Sequence, residues 1–267
     1  KKMIVVSDYN QILSNPRESG DEPCMIADSL PGIPVIVGAD RILTGKYAVE
    51  NFNPNIILLD DGFQRWSLER DCDIVCVDSQ KPLNQLRLFP RGSLRESIQG
   101  LKRAQAVILT RTENAAAAQK QEALIHGITG GIPIIRMRYI LGESLPISDI
   151  ETEEITPEIL ERKRVLLFCG LANPDSFFTL AEKQFRHVEK KIAFPDHVSY
   201  SDEHIRQIKS EFVYYNCDLA FTTEKDAVKL KAKGIPRMPI YYFTLHTEFE
   251  DDTDHTRFLS LLLESKK

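Results

Sequence analysis

Residues 56–78, IILLDDGFQRWSLERDCDIVCVD, constrain the fold more than any other stretch, because an apolar run there stops abruptly at two adjacent aspartates. Ile56, Ile57, Leu58 and Leu59 show no polar alternation, the pattern of an inner strand of a parallel sheet covered on both faces. Asp60 and Asp61 would then fall at the strand's carboxyl end, where open α/β sheets place their ligands. Two hard carboxylates suit magnesium, which takes few protein oxygens and keeps the rest of its shell for water and phosphate. The segment therefore reads as a Walker B candidate, although the same pattern also caps ordinary helices or opens turns. Gly62, Phe63, Gln64 and Trp66 stand in a short connection to a second apolar run, Ile74 to Val77, which ends in Asp78. Two acid-tipped runs within one short span weigh toward a site.

The pattern on either side agrees with an α/β protein. Ile4–Val6, Val35–Val37, Ile56–Leu59, Ile74–Val77 and Val107–Leu109 read as strands, interleaved with helical stretches at Pro23–Asp28 and Gly45–Glu50, the mark of parallel βαβ units. Ala115–Ile125 is a helix by propensity, and Ile134–Met137 a further strand. A polar stretch from Gly142 to Lys163 reads as a connection. Beyond it, strands at Val165–Cys169, Leu219–Thr222 and Ile240–Phe243 alternate with helices at Asp175–Lys183 and from Ser201 to about Asn216. The expected organisation is a core over residues 1–145, a connection over 146–163 and a smaller α/β domain over 164–267.

Composition narrows the function classes. A net charge of −5 argues against general affinity for nucleic acid. Five scattered cysteines suggest reduced thiols, with Cys72 and Cys76 read as small core residues rather than half of a zinc site. No segment approaches the roughly 20 consecutive apolar residues of a spanning helix, and the stripe Phe258, Leu259, Leu261, Leu262 and Leu263 is expected to pack a C-terminal helix onto the sheet. Arg87, Arg91, Arg95, Lys102 and Arg103 form a basic stretch in an acidic chain, either a solvated face or a contact for phosphate.

The string DDGFQRWSLERDCDIVCVD at 60–78 resembles the signature of the tetraacyldisaccharide 4'-kinases, which phosphorylate a lipid A precursor with ATP. Further stretches resemble that family in its order: GDEP at 20–23, RLFPRGSLRE at 87–96, GLANPDSFF at 170–178, FPDH at 194–197 and TTEKDAVKL at 222–230. The resemblance implies a P-loop NTPase-like parallel sheet, its N-terminal part incomplete here, with a second, smaller α/β domain. It implies ATP and Mg2+ as cofactors, an acylated glucosamine disaccharide 1-phosphate as acceptor, and work at the cytoplasmic face of the bacterial inner membrane, held peripherally or by an N-terminal anchor not in the sequence given. By the same resemblance Asp21 is the base for the sugar 4'-hydroxyl, His197 its partner and Asp61 a further catalytic group. Asp60 and Asp61 are the metal ligands, and Arg95, Glu96 and Gln64 line the nucleotide. Without the resemblance, Asp21 reads more readily as a helix cap and His197 as a packing residue. Lys225 and Asp226 are weaker candidates, equally a charge pair at a helix start.

A kinase of this type needs a phosphate-cradling G-x-x-x-x-G-K-[ST] loop, and the sequence has none. Gly45-Lys46 is followed by Tyr47 and has Asp40 in place of the first glycine, so it reads as a helical pair. The chain opens with Lys1-Lys2-Met3, and the nucleotide loop is expected upstream of GDEP, in a segment not given. Arg65, where the family has histidine, and Asn84-Gln85-Leu86, where it has a glycine-rich triplet, depart from the pattern. The expected activity is transfer of the γ-phosphate of ATP to the 4'-hydroxyl of a tetraacyldisaccharide 1-phosphate. The rivals are a non-catalytic remnant that binds acylated sugar phosphates and a metal-dependent hydrolase using Asp60 and Asp61.

Overall fold

In chain order the elements are β1 (Ile4–Ser7), α1 (Pro16–Ser19), α2 (Asp21–Ser29), β2 (Val35–Val37) and α3 (Arg41–Phe52). Then follow β3 (Ile74–Asp78), β4 (Ala106–Thr110), α4 (Ala115–Thr129), β5 (Ile134–Pro146) and α5 (Pro157–Arg162). The remainder holds β6 (Arg164–Cys169), α6 (Pro174–Ala181), β7 (His187–Ala193), α7 (Asp202–Tyr214), β8 (Leu219–Thr223), α8 (Glu224–Lys233), β9 (Ile240–Phe249) and α9 (Asp252–Glu264). The structure is a computed structural model describing residues 3–147, 155–234 and 238–264; Lys1, Lys2 and residues 148–154 of the expected connection lie outside the described residues.

Two compact units emerge, and they are interleaved along the chain rather than sequential. Unit 1 comprises Lys1–Ile57 with Leu141–Leu245, and unit 2 comprises Leu58–Ile140 with His246–Lys267. The linear division at 146–163 does not coincide with them because β5 and β9, far longer than the four-residue runs read from the sequence, contribute residues to both. Within the expected connection, α5 is a helix.

In unit 1, β9, β8, β6 and β7 lie side by side in that order, with β8 parallel to both β9 and β6, and β6 parallel to β7. Alternate residues of β6 face opposite ways. Leu166 and Phe168 join a core with Ile208 of α7 and Leu230 of α8, whereas Val165, Leu167 and Cys169 join another with Phe177 and Phe178 of α6. Both faces are covered, which is why VLLFC shows no alternation in sequence. β7 was not anticipated: HVEKKIA keeps two lysines and a glutamate because most of its residues stay partly or fully exposed.

β1 and β2 do not extend a parallel βαβ array as the pattern suggested. They pair antiparallel, Ile4 opposite Val37, in a sheet of their own. Val6, with Val35 and Val37, packs on Cys24 and Ala27 of α2 and on Val228. A two-stranded ribbon with one such packed face suits antiparallel pairing, whereas parallel strands are found with both faces buried. Gly45-Lys46 lies inside α3, whose N-terminus is capped by the Asp40 carboxylate accepting from the Ile42 and Leu43 amides.

In unit 2, β4 pairs parallel with β3 on one side and with β5 on the other. Val77, Val107, Leu109 and Ile134 pack against Ala118, Ile125 and Ile128 of α4. Cys76 is not a core residue. Val75 and Val77 turn toward α4, so the residue between them faces the other way and is exposed. All five cysteines are free. On α9, Phe258 meets the Phe249 ring, but Leu259 and Leu263 stay exposed, so the expected stripe is only partly packed.

The expected strand Ile56–Leu59 does not form. Ile56, Ile57 and Leu58 are 50%, 51% and 86% exposed, and the run enters no ladder among the described residues. An inner strand exists only where strands flank it and layers cover it; here neither is in place. Asp60 and Asp61 consequently sit in a turn rather than at a strand tip. Among the described residues no helix is long and apolar enough to cross a membrane.

Candidate functional site

The sequence-predicted residues gather into two clusters, one in each unit. In unit 1 the starting point is the N-terminus of α2. Gly20 occupies the cap position with φ of 102°, a backbone conformation that a side chain disfavours, and Asp21 is the first helical residue. Asp21 is therefore not the capping residue. Its carboxylate instead meets Lys229 of α8, Oδ2 to Nζ at 3.5 Å. The next residue, Glu22, lies 3.9 Å from Lys225, one helical turn earlier on α8. Two acids opening one helix are thus answered by two lysines at i and i+4 of another, an arrangement the 3.6-residue period places on one face.

Lys225 also lies 3.5 Å from Asp196, the residue before His197. His197 adopts φ of 56°, its amide donates to Asp196 Oδ1 at 2.9 Å, and its Nε2 lies 3.7 Å from Asp196 Oδ2. The imidazole is mostly exposed, which disposes of the packing reading. No hydrogen bond or ion pair joins His197 directly to Asp21 among the described residues; the link runs through Asp196 and Lys225 to Glu22. Burial would raise the Asp196 pKa, but the Lys225 charge and the His197 amide outweigh it and hold the carboxyl below its usual value.

Behind these groups lies Asp226, fully buried in the first turn of α8. Its Oδ2 accepts from the Gly170 amide and the Thr223 hydroxyl, each at 2.8 Å. Gly170 follows β6, and a Cβ there would come within 2.4 Å of Val198 and 3.1 Å of Asp226, so the GLANPDSFF motif opens with glycine for close approach. Lys229, Asp196 and Gly170 were missed by sequence reasoning. The lysines' i, i+4 spacing was the available signal, but it acquires meaning only when α2 is known to pack on α8.

In unit 2, Asp61 takes φ of 53° and pairs through both carboxylate oxygens with Arg95. That contact raises the Arg95 pKa. Gln64 donates to Glu96 at 2.7 Å, and Arg103 donates to both Glu96 oxygens at 2.9 Å. The same guanidinium lies over the rings of Phe63 and Trp66, 4.5 and 4.1 Å from their centroids. Arg103 is thus part of this cluster, while Asp78, at the end of β3, is neutralised by Arg111. Asp60 is exposed in the same turn as Asp61.

As a donor set, the carboxylates of Asp60 and Asp61 fit a magnesium ion that takes most of its ligands from water and phosphate, with Asp61 having to leave Arg95, which here faces both of its oxygens. They do not make a metal cage: no group of three or more His, Cys, Asp or Glu converges on one point among the described residues.

Fold and clusters together define the class, an α/β protein on largely parallel strands with carboxylate–cation clusters at helix starts and turns. The family model described as Tetraacyldisaccharide-1-P 4'-kinase matches residues 1–264, and the chain belongs to that family. Among curated relatives, the tetraacyldisaccharide 4'-kinase of Halothermothrix orenii is 36% identical over 87% of this chain and 63% of its own length. The enzyme of that name from Pelobacter propionicus is 35% identical over 85% of this chain and 60% of its own. The counterpart from Syntrophus aciditrophicus is 33% identical over 98% and 71%. The chain thus spans under two thirds of the first two. A solved structure, the "apo" form of LpxK from Aquifex aeolicus in complex with ATP, is similar with a TM-score of 0.75 at 28% identity, covering 100% of this chain and 75% of the other.

Proposed function

We propose that this protein is an ATP-dependent kinase that phosphorylates the 4'-hydroxyl of a tetraacyldisaccharide 1-phosphate in lipid A assembly, at the cytoplasmic face of the inner membrane. The observation that carries the reading is Asp21, a carboxylate freed from capping at a helix start and held by a buried lysine. Phosphoryl transfer asks the protein mainly for positioning and charge neutralisation. In this reading Asp21 orients the sugar hydroxyl and accepts its proton, and His197, exposed and carried on a left-handed backbone beside Asp196, helps pass that proton to solvent. Asp60 and Asp61 would hold a magnesium ion, which would supply charge neutralisation for the phosphates. Gln64 and Arg103 fix Glu96 beside the nucleotide, and Arg95, paired here with Asp61 in an exposed contact, becomes the guanidinium for phosphate when Asp61 turns to the metal. Support comes from membership of the family and from the ATP in the Aquifex LpxK crystals.

The test is the complete gene product with labelled ATP, Mg2+ and the tetraacyldisaccharide 1-phosphate in detergent micelles. The expected result is a product labelled at the 4'-position. Lipid binding without transfer would replace the kinase by a non-catalytic binder of acylated sugar phosphates, and phosphate release from simple esters without ATP would replace it by a hydrolase.

A further inference from the structure

Four buried polar atoms in unit 1 make no well-formed hydrogen bond: Tyr200 Oη, Thr222 Oγ1, Asp226 Oδ1 and Lys229 Nζ. Tyr200 lies near enough to Asp226 and Thr222 to interact with both, which leaves the Lys229 ammonium as the group without such a neighbour. Buried polar groups are nearly always satisfied, so a buried ammonium without a hydrogen bond asks for an explanation. Asp226 is fully buried, and the Lys229 side chain is 8% exposed. Asp226 is already fixed by the Gly170 amide and the Thr223 hydroxyl. A lysine present only to neutralise it would close onto it, yet Nζ stands 3.9 Å from Asp226 Oδ1 and 3.5 Å from Asp21 Oδ2. The ammonium, with three donors and no hydrogen bond, lies between an immobilised buried carboxylate and the candidate base.

We infer that Lys229 is a positioning residue for Asp21: anchored from behind by buried Asp226, its ammonium holds the Asp21 carboxylate in the orientation that receives the sugar hydroxyl. This rests on the kinase reading above. The contact is long here and shortens in the reacting complex, as catalytic hydrogen bonds do. Lys225 plays no such part, since its neighbours are Glu22 and Asp196.

The test compares Lys229→Met, Lys229→Arg and the double variant Asp226→Asn/Lys229→Met, which removes the buried charge pair together and so folds even if the single methionine variant does not. In whichever methionine variant folds, kcat falls about 10²-fold, the scale of a misplaced reacting group, while KM for ATP and for the lipid changes less than about twofold. Lys229→Arg recovers part of that loss. Added to Asp21→Asn, Lys229→Met costs no further rate, because both act through one carboxylate. An unchanged kcat in the double variant, or full additivity with Asp21→Asn, overturns the inference. Crystal structures read the contact without turnover: Asp21 leaves its wild-type rotamer in the methionine variant and keeps it in the arginine variant. An Asp21 unmoved by the methionine overturns the inference as well. A displaced Asp21 together with a wild type that transfers no phosphate leaves Lys229 as the holder of Asp21 and overturns the kinase reading alone.

Discussion

The two clusters solve the same problem, holding carboxylates beside cations, in opposite media. In unit 1, Asp226 and Lys229 are withdrawn from water behind Asp21; in unit 2, Asp61 and Arg95 are both more than half exposed. Coulomb attraction is strong in the first setting and screened in the second, but the first also carries the cost of desolvating two charges. A single change in the buried cluster therefore leaves an uncompensated charge behind. The exposed one holds its groups cheaply and releases them easily, which suits residues that meet a ligand.

Four measurements would break or sharpen that contrast. The largest effect is expected at Asp21: Asp21→Ala lowers kcat by about 10³-fold, the scale of a lost general base, while ATP affinity by calorimetry is nearly unchanged. Equal losses in both would remove Asp21 from the chemistry. Next, Asp226→Ala leaves Lys229 buried without its counter-charge and costs about 3 kcal/mol in urea unfolding. Arg95→Ala, breaking an exposed pair, costs less than about 1 kcal/mol. Similar losses for both would erase the difference between the units.

A smaller effect belongs to Arg103. Arg103→Lys keeps the charge but gives up the fork on Glu96 and the stacked rings, and kcat/KM for ATP is expected to drop about tenfold, as for other supporting contacts. Unaltered kinetics would mean that Glu96 needs no support. The smallest effect is a pH dependence. The Asp196 carboxyl titrates below its usual value in the folded protein, so its contribution is complete above the ordinary aspartate range, near pH 4, and is lost as pH falls through the lower folded value. Asp196→Asn should therefore flatten the fall of the urea midpoint below about pH 4, and an identical acid limb in both proteins would show that Lys225 does not hold this group.

Much of unit 1 was legible from local pattern. VLLFC reads as a doubly covered strand because both of its faces are in fact packed, and the helix around 45–50 carries its own cap, as does the one at 115–125 in unit 2. The run Ile56–Leu59 is just as apolar and failed, since covering layers and flanking strands are properties of its neighbours and not of its four residues. β7 failed in the other direction: a strand with an exposed face needs no continuous apolar run.

The sequence alone determined the α/β class, the free thiols, the helical place of Gly45-Lys46 and, through motifs in order, the family, and it named Asp21, Gln64, Arg95, Glu96 and His197 as candidates. Tertiary structure decided that β1 pairs antiparallel with β2, that β5 and β9 serve both units, and that Asp21 answers to Lys229 rather than to its own helix. The reason is range. Propensity, capping and periodicity act over a few residues, whereas an ion pair between positions 21 and 229 exists only after two helices far apart in the chain have packed side by side.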